Sequence, residues 1–226
     1  MELVNSIVMA GDSLSLNAEP RLILGPGLRR ESSQILVSQN GILRHTKPFT
    51  YYVDYVQRRY VPTRGDMVIG VVTSRSGENY RVDIGAADAA VLSYLAFEGA
   101  TKKNPPKVET GDVVAGKLLT ANKDMESELV CVDSRGKEFI MGILSDGYLL
   151  HTSIHLCRKL LNAKCPLLKA MATRSKSRLE LAIGMNGKIW LRADTFGETV
   201  RLGNLILRCE LMSNEEIKQL CETSLK

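Results

Sequence analysis

Short apolar runs closed by glycine, proline or asparagine recur about every ten residues up to residue 147, and then the rhythm changes. Runs this short, bounded by turn residues, suit strands and leave no room for alternating helices. A chain punctuated in this way folds first as small β modules. In residues 1–62, Ile35 and Val37 precede Asn40-Gly41 and Ile42 follows it. Asn-Gly tolerates positive φ at both central positions, so a type I′ hairpin is expected there. Gly25-Pro26-Gly27 forms another turn, and Pro48 and Pro62 punctuate the rest. In residues 63–147, Arg64-Gly65-Asp66 leads into an apolar strand over 67–73. A turn at Ser76-Gly77-Glu78-Asn79 follows, and then an alternating strand over 80–84. Gly111-Asp112 opens a second apolar strand over 113–120. Ser134-Arg135-Gly136 separates extended runs over 128–133 and 137–143. Five strands at this spacing predict a small closed barrel. The alanine-rich stretch 86–96 fits either state.

Beyond Gly147 the apolar spacing becomes helical, with Ile154, Cys157, Leu160 and Leu161 on one face and Ser153 placed to cap it. A second short helix is expected over 166–172. Leu179, Leu181 and Ile183 alternate as a strand, and Gly184-Met185-Asn186-Gly187 turns into a returning strand over 188–192. A helix over 199–211 and a final one opened by the capping box Ser213 to Glu216 complete the chain. The expected order is helix, helix, strand, strand, helix, followed by the final helix. The fold class is multidomain α+β: a β-rich N-terminal domain (1–62), a five-stranded OB-type β-barrel (63–147) and a KH-type α/β domain (148–226).

Charge is unevenly spread. Residues 63–147 hold ten Lys/Arg against thirteen Asp/Glu, whereas 148–226 hold thirteen against seven. A basic end on a near-neutral body fits a polyanion partner, although a solvated surface gives the same pattern. Five cysteines at irregular spacing, with no CxxC, read as reduced thiols of a cytosolic or nuclear protein. His151, His155 and Cys157 lack the second ligand pair of a structural zinc site, so no metal and no cofactor is expected. Apolar runs such as 202–207 are too short to span a bilayer, and the N-terminus lacks a secretory layout.

Gly11-Asp12-Ser13-Leu14, after an apolar run, resembles the nucleophile turn of GDSL serine esterases. That chemistry needs a base from an Asp-x-x-His motif. The residues three before the histidines are Ile42, Tyr148 and Thr152, so none fits. An ordinary turn, and a chain that is not an enzyme, is the better reading.

Signals for nucleic acid are more numerous. An OB-type barrel binds single strands through one face and its loops. Tyr80, Tyr94, Phe97 and Phe139 can stack on bases or fill the core. Arg75, Arg81, Lys117 and Lys123 lie on or beside the predicted barrel strands, and Arg174, Lys176 and Arg178 form a basic run after the second helix. All seven are candidate RNA contacts. A KH domain grips backbone with a GXXG loop between its first two helices. Here that stretch, Asn162-Ala163-Lys164-Cys165, has no glycine, and Gly-x-x-Gly falls instead between two strands.

In this three-part order, the stretches Gly11-Asp12, Pro26-Gly27, Val61-Pro62-Thr63-Arg64-Gly65-Asp66-Met67-Val68-Ile69-Gly70, Tyr80-Arg81-Val82-Asp83-Ile84-Gly85 and Gly184-Met185-Asn186-Gly187-Lys188-Ile189-Trp190 carry a resemblance. The chain is similar from end to end to the eukaryotic RNA exosome cap subunits of the exosome component three (ribosomal RNA-processing protein forty) family. A sister cap subunit shares the layout, and Gly-x-Asn-Gly favours the former. The resemblance implies a non-catalytic RNA-binding subunit with ribosomal-S-one-type OB and KH domains. It would sit with ring and cap partners in nucleus, nucleolus and cytoplasm, and guide single-stranded RNA toward a separate 3′–5′ exonuclease. It also implies a structural role for Gly184, Asn186 and Gly187 at the junction of barrel and KH domain. A ribosome-associated RNA-binding protein built from the same modules is the alternative.

Overall fold

The computed structural model describes residues 4–15, 22–32, 34–104, 106–122, 124–132, 141–174 and 178–224. The chain divides into two units, Met1–Gln57 and Arg58–Lys226.

The first unit is all β among its described residues. Its strands are β1 (Ile7–Val8), β2 (Ser13–Leu14), β3 (Ile23–Leu24), β4 (Leu28–Glu31), β5 (Gln34–Val37), β6 (Gly41–Thr46) and β7 (Thr50–Asp54). They make two sheets, β1-β6-β7-β3 and β2-β5-β4. Ile35 and Val37, two apart on β5, turn to the same face and join Val8, Leu14, Leu43 and Val53 in one core. The hairpin expected at Asn40-Gly41 does not form. The strands on either side of it belong to different sheets, and neither residue has positive φ. Both residues do other work. Asn40 Oδ1 accepts a hydrogen bond from the Ala10 N–H at 2.7 Å. Gly41 lies so close to β7 that a Cβ would stand 2.5 Å from the Asp54 carbonyl oxygen.

The second unit begins with β8 (Met67–Ser76), β9 (Asn79–Asp83), β10 (Ala90–Ser93), β11 (Val113–Asn122), β12 (Met125–Val130) and β13 (Gly142–Leu144). The order is β12-β10-β9-β8-β11-β13, and β12 also pairs with β11. Five strands therefore close into a barrel, and β13 adds to β11 outside the closure. Val68, Val72, Tyr80, Val82, Leu118 and Leu129 are among the residues that fill it. The alanine-rich stretch resolves into β10 and one 3-10 turn, Tyr94–Ala96. The turn expected at Ser134-Arg135-Gly136 lies outside the described residues.

The same unit continues with β14 (Tyr148–His151), α1 (Ile154–Leu161), α2 (Leu167–Arg174), β15 (Leu179–Ile183), β16 (Lys188–Ala193), α3 (Phe196–Arg208) and α4 (Asn214–Ser224). The sheet order is β14-β16-β15. The expected order omitted β14. Tyr-Leu-Leu-His carries no clean alternation, and this strand is defined by pairing with β16, with Leu149 opposite Trp190. Helix α3 starts at Phe196, three residues before the expected 199, because the Thr195 hydroxyl caps it by accepting the Glu198 N–H. Ser153 caps α1, and Ser213 with Glu216 forms the capping box of α4. Leu156, Leu160, Leu167, Ile189, Leu191 and Ile206 lie in the KH core. Among the described residues no helix is long and apolar enough to cross a membrane.

Candidate RNA-binding face and the barrel–KH junction

Strand register separates the basic residues of the barrel instead of gathering them. Arg75 lies near the end of β8, opposite Tyr80 on β9. Tyr80 is buried, and the Arg75 guanidinium sits over its ring, 5.6 Å from the centroid. That cation–π contact holds an otherwise exposed side chain in one place. Arg81 pairs with Ser74 across a register shift and points outward. Glu126 from β12 lies 3.4 Å from its guanidinium, so part of its charge is already answered. Lys117 is exposed on β11, opposite Met67 at the start of β8. Eight residues of strand separate Met67 from Arg75, so Lys117 and Arg75 stand about 25 Å apart along the barrel.

On the KH side Arg178 is exposed, and its backbone N–H donates to Asp194 at 2.9 Å. Arg174 ends α2. Lys123 and Lys176 lie outside the described residues. Of the aromatics, Tyr80, Tyr94 and Phe97 are buried in the barrel core, and Phe139 lies outside the described residues. Ser13 is exposed beside a tight turn in which the Asp12 carboxylate accepts the Met9 N–H at 2.8 Å. Among the described residues no group of three or more His, Cys, Asp or Glu is placed to hold a metal ion. Cys157 is buried, which pushes its thiol pKa up.

The loop between β15 and β16 is densely bonded to the barrel. Asn186 is 7% exposed. Its amide nitrogen donates to the carbonyls of Ile69 and Ile84, each at 2.7 Å, and its Oδ1 accepts the Ile69 N–H at 3.2 Å. One KH side chain thus serves three backbone groups of the barrel. Met185 N–H donates to the Met67 carbonyl at 2.8 Å, and Gly184 N–H to the Lys188 carbonyl at 2.9 Å. The Gly187 carbonyl accepts from Thr152. Within the motif only Gly187 has positive φ, +79°, and a Cβ there would stand 2.7 Å from the Thr152 carbonyl. A Cβ on Gly184 would meet the Asn186 oxygen at 2.3 Å.

Lys188, within the stretch Gly184 to Trp190, is 5% exposed. Its ammonium donates to the Asp83 carbonyl at 2.8 Å and to the Asp83 carboxylate at 3.2 Å. The Gly85 N–H, bonded to that carboxylate at 2.8 Å, is the main cause holding its pKa below the usual range, and Lys188 adds to it. Ile69 and Ala115 of the barrel pack on Ala182 and Trp190 in a small shared core. Beside it runs an apolar groove of ≈740 Å³ floored by Met67, Ile69, Leu168, Ile183 and Met185, with Lys117 among its lining. A lysine directly after Gly-x-Asn-Gly, in a strand otherwise apolar up to Leu191, was the one signal in the sequence for this anchor.

Comparison with known proteins agrees with this geometry. Residues 6–56 match the mammalian exosome complex component RRP40 N-terminal family, 60–142 the exosome complex component RRP40 S1 domain, and 147–195 a KH domain. The exosome complex component RRP40 of Drosophila melanogaster is 46% identical over 98% of this chain and 96% of its own length. The Homo sapiens protein of that name is 44% identical over 92% of this chain and 78% of its own. That of Saccharomyces cerevisiae is 34% identical over 91% and 89%. A crystal structure described as that of an exosome complex RNA-binding protein superposes with TM-score 0.61 over 74% of this chain and 97% of that one. At 22% identity it speaks for the fold alone.

A closed S1-type barrel carried on a KH fold, following a β-rich N-terminal unit in the sequence, defines an RNA-binding protein of the S1–KH class. Within that class the chain belongs to the exosome complex component RRP40 family.

Proposed function

We propose that the chain is a non-catalytic cap subunit of an RNA exosome, which stabilises a ring of partner subunits and guides single-stranded RNA into a central channel. A separate 3′–5′ exonuclease then processes or degrades that RNA. The domains run 1–62, 63–147 and 148–226. The RNA contacts are Arg75, Arg81, Lys117, Lys123, Arg174, Lys176 and Arg178, and the assembly works in nucleus, nucleolus and cytoplasm, including rRNA maturation. The observation that carries the reading is the opposite treatment of two polar elements. The barrel leaves separated cations in water, while the one Gly-x-x-Gly of the KH unit is buried against the barrel. Separated cations suit weak contact with a passing strand, and a buried loop suits scaffolding.

Reconstitution tests this. The full chain mixed with exosome ring subunits should enter a stable complex. The isolated chain should bind single-stranded RNA weakly, with affinity falling as salt rises. Failure to enter the complex overturns the reading. Turnover of an activated ester that is lost on Ser13→Ala would replace it with the hydrolase.

A further inference from the structure

Helix α3 turns one face into the KH core and leaves the other uncovered. Thr199, Leu202, Leu205 and Ile206 are buried. At 100° per residue, Phe196, Val200 and Leu207 fall within about 40° of one another, along the edge of the buried face. They are 80%, 45% and 40% exposed. The stripe runs roughly 16 Å along the helix. Isolated exposed apolar residues are ordinary, but three aligned on one helix face mark an interaction surface.

A second stripe lies beside the first. Arg201, Asn204 and Arg208 occupy the next 100° or so of the helix and are all exposed. Among the described residues neither arginine has an ion-pair partner within 4.0 Å, and Arg201 donates to the Ser224 carbonyl. These three side chains, with Leu205 and with Leu220 and Ser224 from α4, form a hollow of ≈280 Å³. Leu205 and Leu220 give it an apolar part, and Arg201 and Arg208 are among its lining. No carboxylate falls on this part of α3.

We infer that this face docks an amphipathic helix of a partner protein, with apolar residues over Phe196, Val200 and Leu207 and a carboxylate flank against Arg201 and Arg208. The occupant follows from the chemistry of the two stripes. Ridges at i, i+4 and i+11 interlock with the side-chain ridges of another helix. Paired arginines want carboxylates, which they can hold in bidentate fashion. An RNA strand would answer the arginines but leave Val200 and Leu207 in water, since neither offers a ring to stack on. This surface is separate from the barrel residues assigned to RNA, and its test does not depend on the cap reading.

Fluorescence anisotropy on the full chain tests it, with a short synthetic probe helix bearing a leucine stripe flanked by glutamates. A second probe has lysines in place of the glutamates, and a third is oligouridylate. The glutamate probe should bind at least ~10-fold more tightly than the lysine probe. The double variant Arg201→Glu, Arg208→Glu should invert that preference. Phe196→Ala with Leu207→Ser should weaken the glutamate probe by ~10-fold or more while the circular dichroism spectrum is unchanged. All of these positions are exposed, so the variants fold. Equal binding of both peptide probes, or a charge swap that fails to invert the preference, overturns the inference. Oligouridylate binding that disappears in the charge-swapped variant, with no peptide binding in the parent, assigns the face to RNA and overturns it too.

Discussion

The barrel and the KH unit each contain a segment of the kind that nucleic-acid binding uses, and the two segments end in opposite environments. On the barrel, Arg75 stands in solvent with its guanidinium parked on the ring of a core tyrosine. Its charge remains available because its partner is a π face and not a carboxylate. In the KH unit, three backbone groups of Gly184-Met185-Asn186-Gly187 are already used. The N–H groups of Gly184 and Met185 and the carbonyl of Gly187 all have partners inside the protein. A Gly-x-x-Gly loop grips phosphate only if its N–H groups point into solvent. The same four letters placed between strands, facing a second domain, become a fastener. Surroundings, and not the motif, decide which of the two it is.

The largest effects should therefore come from the fastener. Asn186→Ala leaves the Ile69 N–H and the Ile69 and Ile84 carbonyls buried without their present partner. At ~1–3 kcal/mol for each orphaned group, the loss should reach ~3 kcal/mol or more in chemical denaturation. A variant that unfolds like the parent would mean that barrel and KH unit are not coupled through this side chain. Gly187→Ala comes next, at ~2–3 kcal/mol, because it combines positive φ with a Cβ placed 2.7 Å from a carbonyl oxygen. Gly77→Ala at the β8–β9 turn is the matched control. Its φ is +58° but nothing lies within 4 Å, so the cost should stay near ~1 kcal/mol.

How much of this contrast can be read from letters alone differs between its two halves. Four of the five closing strands are legible, because alternation and glycine turns act locally, whereas the fifth, β10, lies in the alanine-rich stretch that fits either state. So are the helix starts at Ser153 and Ser213, whose caps are short-range hydrogen bonds. The Asn40-Gly41 hairpin fails because a local turn preference was outweighed by pairing of β5 and β6 with different neighbours. β14 is invisible for a similar reason, since pairing with β16 and not its own pattern makes it a strand. In the site, the basic residues are easy to list, but their separation along β8 depends on register. The three hydrogen bonds of Asn186 link residues more than a hundred positions apart, and no window along the chain can contain them.

On the barrel the effects should be smaller and should appear in binding. Arg75→Ala is expected to weaken single-stranded RNA binding about 5-fold and to lower the salt slope by about one unit, as for one lost phosphate contact. Arg81→Ala should cost only about 2-fold, since Glu126 already shares that guanidinium. Filter binding at several salt concentrations reads both. Equal losses at the two positions would mean that the ion pair opens on binding, and the contrast between a free and an answered cation would then be lost.

The smallest effect tests whether the barrel and the KH fold also share charge. The Asp83 carboxyl lies below its ordinary pKa, first because it accepts the Gly85 N–H and then because Lys188 faces it. A depressed carboxyl pKa stabilises the fold above the unfolded value of about 3.9, and the contribution disappears as pH falls through the lower folded value. Asp83 is half exposed, so solvent screening keeps the gain under ~1 kcal/mol. Asp83→Asn should therefore be slightly less stable than the parent at neutral pH, and the gap should close on acidification below about pH 4. Urea denaturation across that range measures it. A gap that persists unchanged into acid would show that Asp83 acts through the shape of its turn alone. The junction would then be held by the neutral amide of Asn186, with the buried ammonium of Lys188 resting on the Asp83 carbonyl and not on its charge.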